Sequence, residues 1–203
     1  MRFTVRLKTD RIRGTGFVAH YHDSLWVVTA GHIGLGGGDR DQGGVHDRWM
    51  EWSQSIQIEG TDVSLPLFDA DGQPSFAHAA HEGKVGDVIA IRLPSGSQRV
   101  TPACMEITGT SPHEGEACCV LGYPGGQTDV VEQNVVAQDV EEARFRFSPL
   151  AREGFSGGPI VSISTMQLRG VCIGYDPSDR IGDAASVSAV AAIISRAPSN
   201  RMR

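Results

Sequence analysis

Apolar residues in this chain come in short runs that stop at glycine, proline or acidic turn residues, and that punctuation excludes most folds before any motif is read. Phe3, Val5 and Leu7 alternate with polar partners, the two-residue period of a half-buried strand. Gly16-Phe17-Val18-Ala19 and Leu25-Trp26-Val27-Val28-Thr29 flank His22-Asp23-Ser24, which reads as a hairpin with a short turn. Further apolar runs lie at 63–68, 88–93, 117–121, 130–140, 145–147, 160–163 and 171–173, the spacing expected of sandwiches and barrels. The 25 glycines and 10 prolines supply the turns between them. One helical period stands out, at Val187, Val190, Ala191 and Ile194, with Ser186 placed to cap its start and Pro198 beyond its end. The expected fold is therefore all-β with one C-terminal helix.

At 203 residues the chain can hold one domain or two small ones. A polar stretch opens at Pro94-Ser95-Gly96-Ser97-Gln98-Arg99 and runs to about His113. It divides the chain into an N-terminal half, 1–95, a linker, 96–113, and a C-terminal half, 114–203. The net charge of −6 and the lack of a basic run argue against nucleic acid or an anionic membrane as partner. No stretch approaches the roughly 20 apolar residues of a membrane span. Met1 to Lys8 alternates charged and apolar residues and reads as a first strand, not a signal peptide, so the expected location is the cytoplasm. Cys104, Cys118, Cys119 and Cys172 form no CxxC pair and are expected to be reduced thiols.

Three strings carry chemistry. Val27-Val28-Thr29-Ala30-Gly31-His32 puts a histidine at the end of an apolar strand, and Asp87 stands directly before the apolar run Val88 to Leu93. Gly154-Phe155-Ser156-Gly157-Gly158-Pro159 places a serine among glycines, which permit a sharp turn with successive N–H groups on one side. Acyl transfer needs such donors for the oxyanion of its tetrahedral intermediate. A hydroxyl is a weak nucleophile near neutral pH, so Ser156 needs a base, and His32 is the candidate. The imidazole in turn needs a partner that fixes its tautomer, a role that suits Asp87. Asp62 is the main rival, but Pro66 interrupts the strand that follows it.

Competing patterns are weaker. Gly154 to Gly158 matches the GxSxG elbow of α/β-hydrolases, which place their histidine after the serine; all seven histidines here precede Ser156. An acid before His32, as in the subtilisin order, would be Asp10 or Asp23, both in turn-like segments. Gly14 to Ala19 fits a loose dinucleotide fingerprint, but strand-forming residues follow it where a helix is required. The pairs His20/His22 and His78/His81 lack a third metal ligand at convincing spacing. Gly34 to Arg48, with six glycines, reads as a surface loop beside the site.

On these strings the chain resembles the trypsin/chymotrypsin-like serine proteases. Thr29-Ala30-Gly31-His32 is similar to the family's Thr-Ala-Ala-His, Asp87 to Ile91 to its Asp-Ile-Ala-Leu-Leu, and Gly154 to Pro159 to its Gly-Asp-Ser-Gly-Gly-Pro. Two departures stand out: Ile33 replaces the cysteine that usually follows the histidine, so the family's commonest disulfide is absent, and Phe155 replaces the acid that usually precedes the serine, which makes the chain look closer to the bacterial high-temperature-requirement proteases and viral members that also lack that acid. The resemblance implies two six-stranded antiparallel barrels, with His32 and Asp87 on the first and Ser156 on the second. It further implies an oxyanion hole from the N–H groups of Gly154 and Ser156, a specificity pocket based on Leu150, and a substrate-binding strand around Ile173 and Gly174. The implied activity is an endopeptidase working through an acyl-enzyme and cleaving after small to medium apolar residues of protein or peptide substrates, with no cofactor and no metal. The alternative is a protease-like binding or sensor module, with little turnover until a partner orders the oxyanion loop.

Overall fold

The computed structural model describes residues 3–35, 52–78, 87–94, 103–176 and 180–197. In the first half, β1 (Thr4–Lys8), β2 (Arg13–Tyr21) and β3 (Ser24–Ala30) form an antiparallel meander with Leu7 opposite Gly14 and Phe17 opposite Val28. Only His22 and Asp23 separate the Tyr21–Ser24 pair, and His22 turns the chain with a φ of 51°. Strand β3 runs into a short helix, α1 (Gly31–Leu35). Strands β4 (Ser55–Ile58), β5 (Ser64–Pro66), β6 (Phe76–His78) and β7 (Val88–Arg92) complete the sheet, in the order β5-β4-β1-β2-β3-β7-β6.

This half departs in detail from a six-stranded ring. It has seven strands on one path, and β8 (Met105–Glu106), from within the expected linker, lies parallel beside β2. The two end strands, β5 and β6, are joined by a hairpin instead of a ladder: the Ser75 N–H donates to the Leu67 carbonyl at 2.9 Å, and Phe68 bridges Pro74. Strands of two to four residues such as β4, β6 and β8 are too short to print an alternation in the sequence.

The second half is a closed barrel. Strands β9 (Ala117–Gly122), β10 (Val131–Gln138), β11 (Arg144–Ser148), β12 (Pro159–Ser162), β13 (Leu168–Asp176) and β14 (Ile181–Ser186) pair in the ring β10-β11-β14-β13-β12-β9. Helix α2 (Val187–Ser195) follows, and the Ser186 hydroxyl accepts the Ala189 N–H at 3.2 Å, a cap that contributes about 1 kcal/mol. It is far too short to cross a membrane, and no helix among the described residues is long and apolar enough to do so.

Each half has its own interior, and a third core joins them. Val27, Ile89 and Ile91 point into the first half with Leu7, Ile56 and Leu65, while Val120, Phe145, Phe147 and Phe155 fill the second. The alternate residues of the same strands, Trp26, Val28, Val88 and Ala90, meet Leu121, Val171, Ile173 and the Val190 and Ile194 side chains of α2. Strands β3 and β7 are thus buried on both faces, which is why their sequences are continuously apolar. Each fully buried aliphatic side chain contributes about 1.5–3 kcal/mol. No disulfide joins the cysteines; burial pushes the Cys118 thiol up to about 12, so it is inert at neutral pH.

Candidate active site

Register places the acid beside the histidine. Strands β3 and β7 run antiparallel with Ala30 opposite Val88, so the chain enters β7 at Asp87 where the other strand leaves toward His32. The Asp87 carboxylate accepts the His32 main-chain N–H at 2.8 Å through Oδ1 and the His32 ring at Nδ1, 2.7 Å away, through Oδ2. An ionised carboxylate only accepts, so Nδ1 carries the proton of that bond and Nε2 is left as the basic nitrogen of the neutral ring. His32 is buried, and Asp87 is largely so. Asp62 sits exposed in the turn between β4 and β5.

The Ser156 turn is built into the second barrel and pressed against the first half. Phe155 is completely buried in the second interior, where its ring lies against Gly122. The Gly157 N–H donates to the Cys172 carbonyl at 2.7 Å, and the Gly158 N–H to the Phe155 carbonyl at 2.8 Å. From the other side, the Thr15 N–H donates to the Ser156 carbonyl at 3.1 Å. A methyl group on Gly157 would lie 2.1 Å from the Thr15 carbonyl oxygen and 2.9 Å from the Ala30 nitrogen, and its φ is 83°, so only glycine fits there. His32 and Asp87 are therefore bonded directly, and the serine turn rests on the strand end that leads into His32.

The other expected site residues have mixed surroundings. Leu150 is half-buried, and its carbonyl accepts Gln133 Nε2 at 2.9 Å. The Ile173 side chain belongs to the core between the halves, which leaves its backbone, not its side chain, for a ligand. Gly174 is half-buried and follows an irregularity in the β13–β14 pairing, while Tyr175 is exposed. Arg152 lies 6.0 Å from the centre of the Phe155 ring. His20 bonds Glu106 at 3.0 Å, and His78 packs edge-on against Phe76. His81, and the loop Gly34 to Arg48 beyond Leu35, lie outside the described residues.

One residue at the site is not evident from the motifs. The fully buried Thr15 touches the serine turn through its side chain as well as its backbone. Its signal is the Gly14-Thr15-Gly16 string, which reads as a failed nucleotide fingerprint when taken alone.

Comparison with known proteins identifies the fold. The active form of the Rv3671c protease from M. tuberculosis superposes with a TM-score of 0.66 at 17% identity, covering 97% of this chain and 81% of that one. A Glu endopeptidase gives 0.67 at 14% identity over 96% of this chain and 89% of its own. The serine protease domain of the Sesbania mosaic virus polyprotein gives 0.63 at 14% identity over 93% and 90%. No curated protein sequence matches significantly. The sequence pattern of the trypsin-like peptidase domain, however, matches residues 14–171, which run from β2 into the start of β13 and include His32, Asp87 and Ser156. This chain belongs to the trypsin-like peptidase family of serine proteases.

Proposed function

We propose that the protein is an endopeptidase in which Ser156 is the nucleophile, His32 the general acid and base, and Asp87 the partner that orients His32. The observation that carries this reading is the pair of hydrogen bonds that the Asp87 carboxylate accepts from His32, one from the ring and one from the main chain. Nε2 takes the proton of the Ser156 hydroxyl as Oγ bonds to the carbonyl carbon of the scissile peptide. The carbonyl electrons move to oxygen, which meets the N–H groups of Gly154 and Ser156; neither donates to a protein acceptor among the described residues. Collapse breaks the C–N bond, the amine leaves with the proton from His32, and the acyl-enzyme remains. Water, deprotonated by His32, releases the acid and restores the hydroxyl.

Leu150 supports a preference for small to medium apolar side chains before the scissile bond. Burying a lysine or arginine there without a counter-charge costs several kcal/mol, roughly, whereas an apolar guest gains about 1.5–3 kcal/mol. The anchoring of Phe155 in the barrel favours an enzyme over a module that awaits a partner. The two lobes are taken as 1–95 and 114–203 joined by 96–113, and four cysteines outside any disulfide suit the reducing cytoplasm.

A fluorophosphonate probe tests the assignment. Wild type should label and hydrolyse a peptide substrate, and a folded Ser156→Ala variant should do neither. Labelling that persists in Ser156→Ala overturns it.

A further inference from the structure

The Thr15 hydroxyl sits between two segments of the second half and bonds to both. Its Oγ1 accepts the Tyr123 main-chain N–H at 3.0 Å and donates to the Gly154 carbonyl at 2.7 Å. The polarity admits no other arrangement, because an amide N–H only donates and a carbonyl only accepts. The rest of Thr15 is engaged as well: its N–H goes to the Ser156 carbonyl, and its carbonyl accepts the Thr29 hydroxyl at 2.7 Å. Thr29 lies on β3, three residues before His32. One side chain of the first half therefore spans the seam to the turn that carries the proposed nucleophile.

The two ends of that turn are held differently. The peptide between Phe155 and Ser156 is fixed from within, because the Phe155 carbonyl accepts the Gly158 N–H and a planar trans peptide then aims the Ser156 N–H the opposite way. The Gly154 end has a longer internal tie, the Phe155 N–H donating to the Arg152 carbonyl at 3.3 Å, on the same peptide whose carbonyl the Thr15 hydroxyl holds. Gly154 has a φ of 98°, and as a glycine it can rotate its flanking peptides at little cost. The Tyr123 carbonyl and Pro124 crowd one side of it, and the Thr15 hydroxyl holds its carbonyl.

We propose that Thr15 is a positioning residue for catalysis: its hydroxyl, supplied by the first half, pins the Gly154 carbonyl and so holds the neighbouring Gly154 N–H toward the oxyanion. This rests on the assignment of Ser156 and Gly154 above. Replacing the hydroxyl by a methyl group in Thr15→Val preserves volume but leaves the half-buried Tyr123 N–H and Gly154 carbonyl without that partner. The Gly154 peptide then relaxes, and one oxyanion donor is misaligned. Loss of one such donor costs on the order of 10²–10³ in rate, and misalignment should fall below that, at about 10–100-fold.

The test measures the second-order rate constant and final extent of fluorophosphonate labelling, with kcat and KM on a fluorogenic peptide bearing leucine before the scissile bond. For Thr15→Val the expected result is full labelling at a rate about 10–100-fold lower, kcat reduced in parallel and KM within about twofold. Thr15→Ser, which keeps the hydroxyl, should return both rates to within about threefold of wild type. If Thr15→Val does not fold, Thr15→Ala is compared with Thr15→Ser in the same way. A labelling rate within twofold of wild type in the variant without a hydroxyl overturns the proposal. So does a reduced extent at normal rate, which marks a purely structural role, or a Thr15→Ser variant as slow as Thr15→Val. Ser156→Ala run alongside separates the two ideas: labelling there removes the nucleophile assignment, whereas Ser156-dependent labelling with an indifferent Thr15 removes only the role of Thr15.

Discussion

Asp87 grips His32 by two atoms, its Oδ2 at 2.7 Å from the ring nitrogen Nδ1 and its Oδ1 at 2.8 Å from the main-chain nitrogen of the same residue. The ring is thereby fixed relative to its own backbone, and the tautomer is set by a group that only accepts. Asp87→Asn keeps the size of the side chain but offers an NH₂ group to Nδ1 or to the main-chain N–H, so at least one bond is lost or the tautomer reverses. Activity should fall on the order of 10⁴-fold with little change in melting temperature. Asp62→Asn should stay within about twofold of wild type. Measured kcat/KM for the pair decides between the two acids, and the opposite ranking would move the role to Asp62.

Phe155 anchors the serine turn through burial, where an acid would need a charged partner. Phe155→Ala empties a site in the second core and should cost about 3–5 kcal/mol in urea unfolding. Labelling should slow as well, because the turn loses its inner anchor.

Gly157 and Gly60 have nearly equal positive φ, 83° and 81°, in opposite surroundings. Nothing lies within 4 Å of a methyl group built on Gly60, whereas one on Gly157 runs into Thr15 and Thr29. Gly60→Ala should cost only the left-handed backbone term, about 1–2 kcal/mol, and leave activity intact. Gly157→Ala should abolish labelling and destabilise further. Thermal melts and labelling of the two variants separate backbone strain from steric exclusion at the seam.

On the proposed assignment of Leu150 to the base of the specificity pocket, a change there should move specificity. A peptide-library digest should show wild type cutting after Val, Ala, Leu or Met. Leu150→Asp should add cleavage after Arg and Lys, since a carboxylate supplies the missing counter-charge. Dominant cleavage after basic residues by wild type would place the pocket base elsewhere.

Acid stability should depend on Glu116. Burial pushes its carboxyl up, but bonds from Ser162, Arg169 and the His113 main chain together outweigh burial and hold it below its ordinary value. The Arg169 Nε–Glu116 Oε1 distance is 2.9 Å, and both side chains are buried. A group depressed in the folded state stabilises above its unfolded pKa, and that stability is lost as pH falls through the folded one. Glu116→Gln should therefore be less stable than wild type at neutral pH, and the gap should narrow in strong acid. Denaturant midpoints across that range are the measurement; a constant gap would show that Glu116 does not titrate this way.

Local patterns made much of this molecule legible. Continuous apolar runs at Val27-Val28 and Val88 to Ile91 mark strands covered on both sides, and the structure puts their alternate residues into different cores. Ser186 ahead of the Val187 period announced α2, although Ile193 joins the buried residues of that helix while Ala191 is only partly buried. Gly154 and Gly157, on either side of Ser156, likewise have the positive φ their turn needs. These features are readable because each is a short-range consequence of residue type.

Partnership across the fold was not readable. Met105–Glu106 joins β2 although nothing in a polar stretch of sequence names a pairing partner, and the seven-strand path arises from strands too short to show a period. Ile173 sits on the strand expected to face substrate, yet its side chain is taken up by the core between the halves, because side chains alternate along the strand: Val171 and Ile173 face that core while Cys172 faces the barrel interior. Thr15 is the sharpest case. Sequence by itself determined a small hydroxyl between two glycines on a strand; the 139 residues to Gly154 are closed only when the two halves pack, and that packing decides that the hydroxyl has one donor and one acceptor to satisfy. Alternation and turn chemistry act over a few residues, whereas a buried hydrogen bond depends on which surfaces meet.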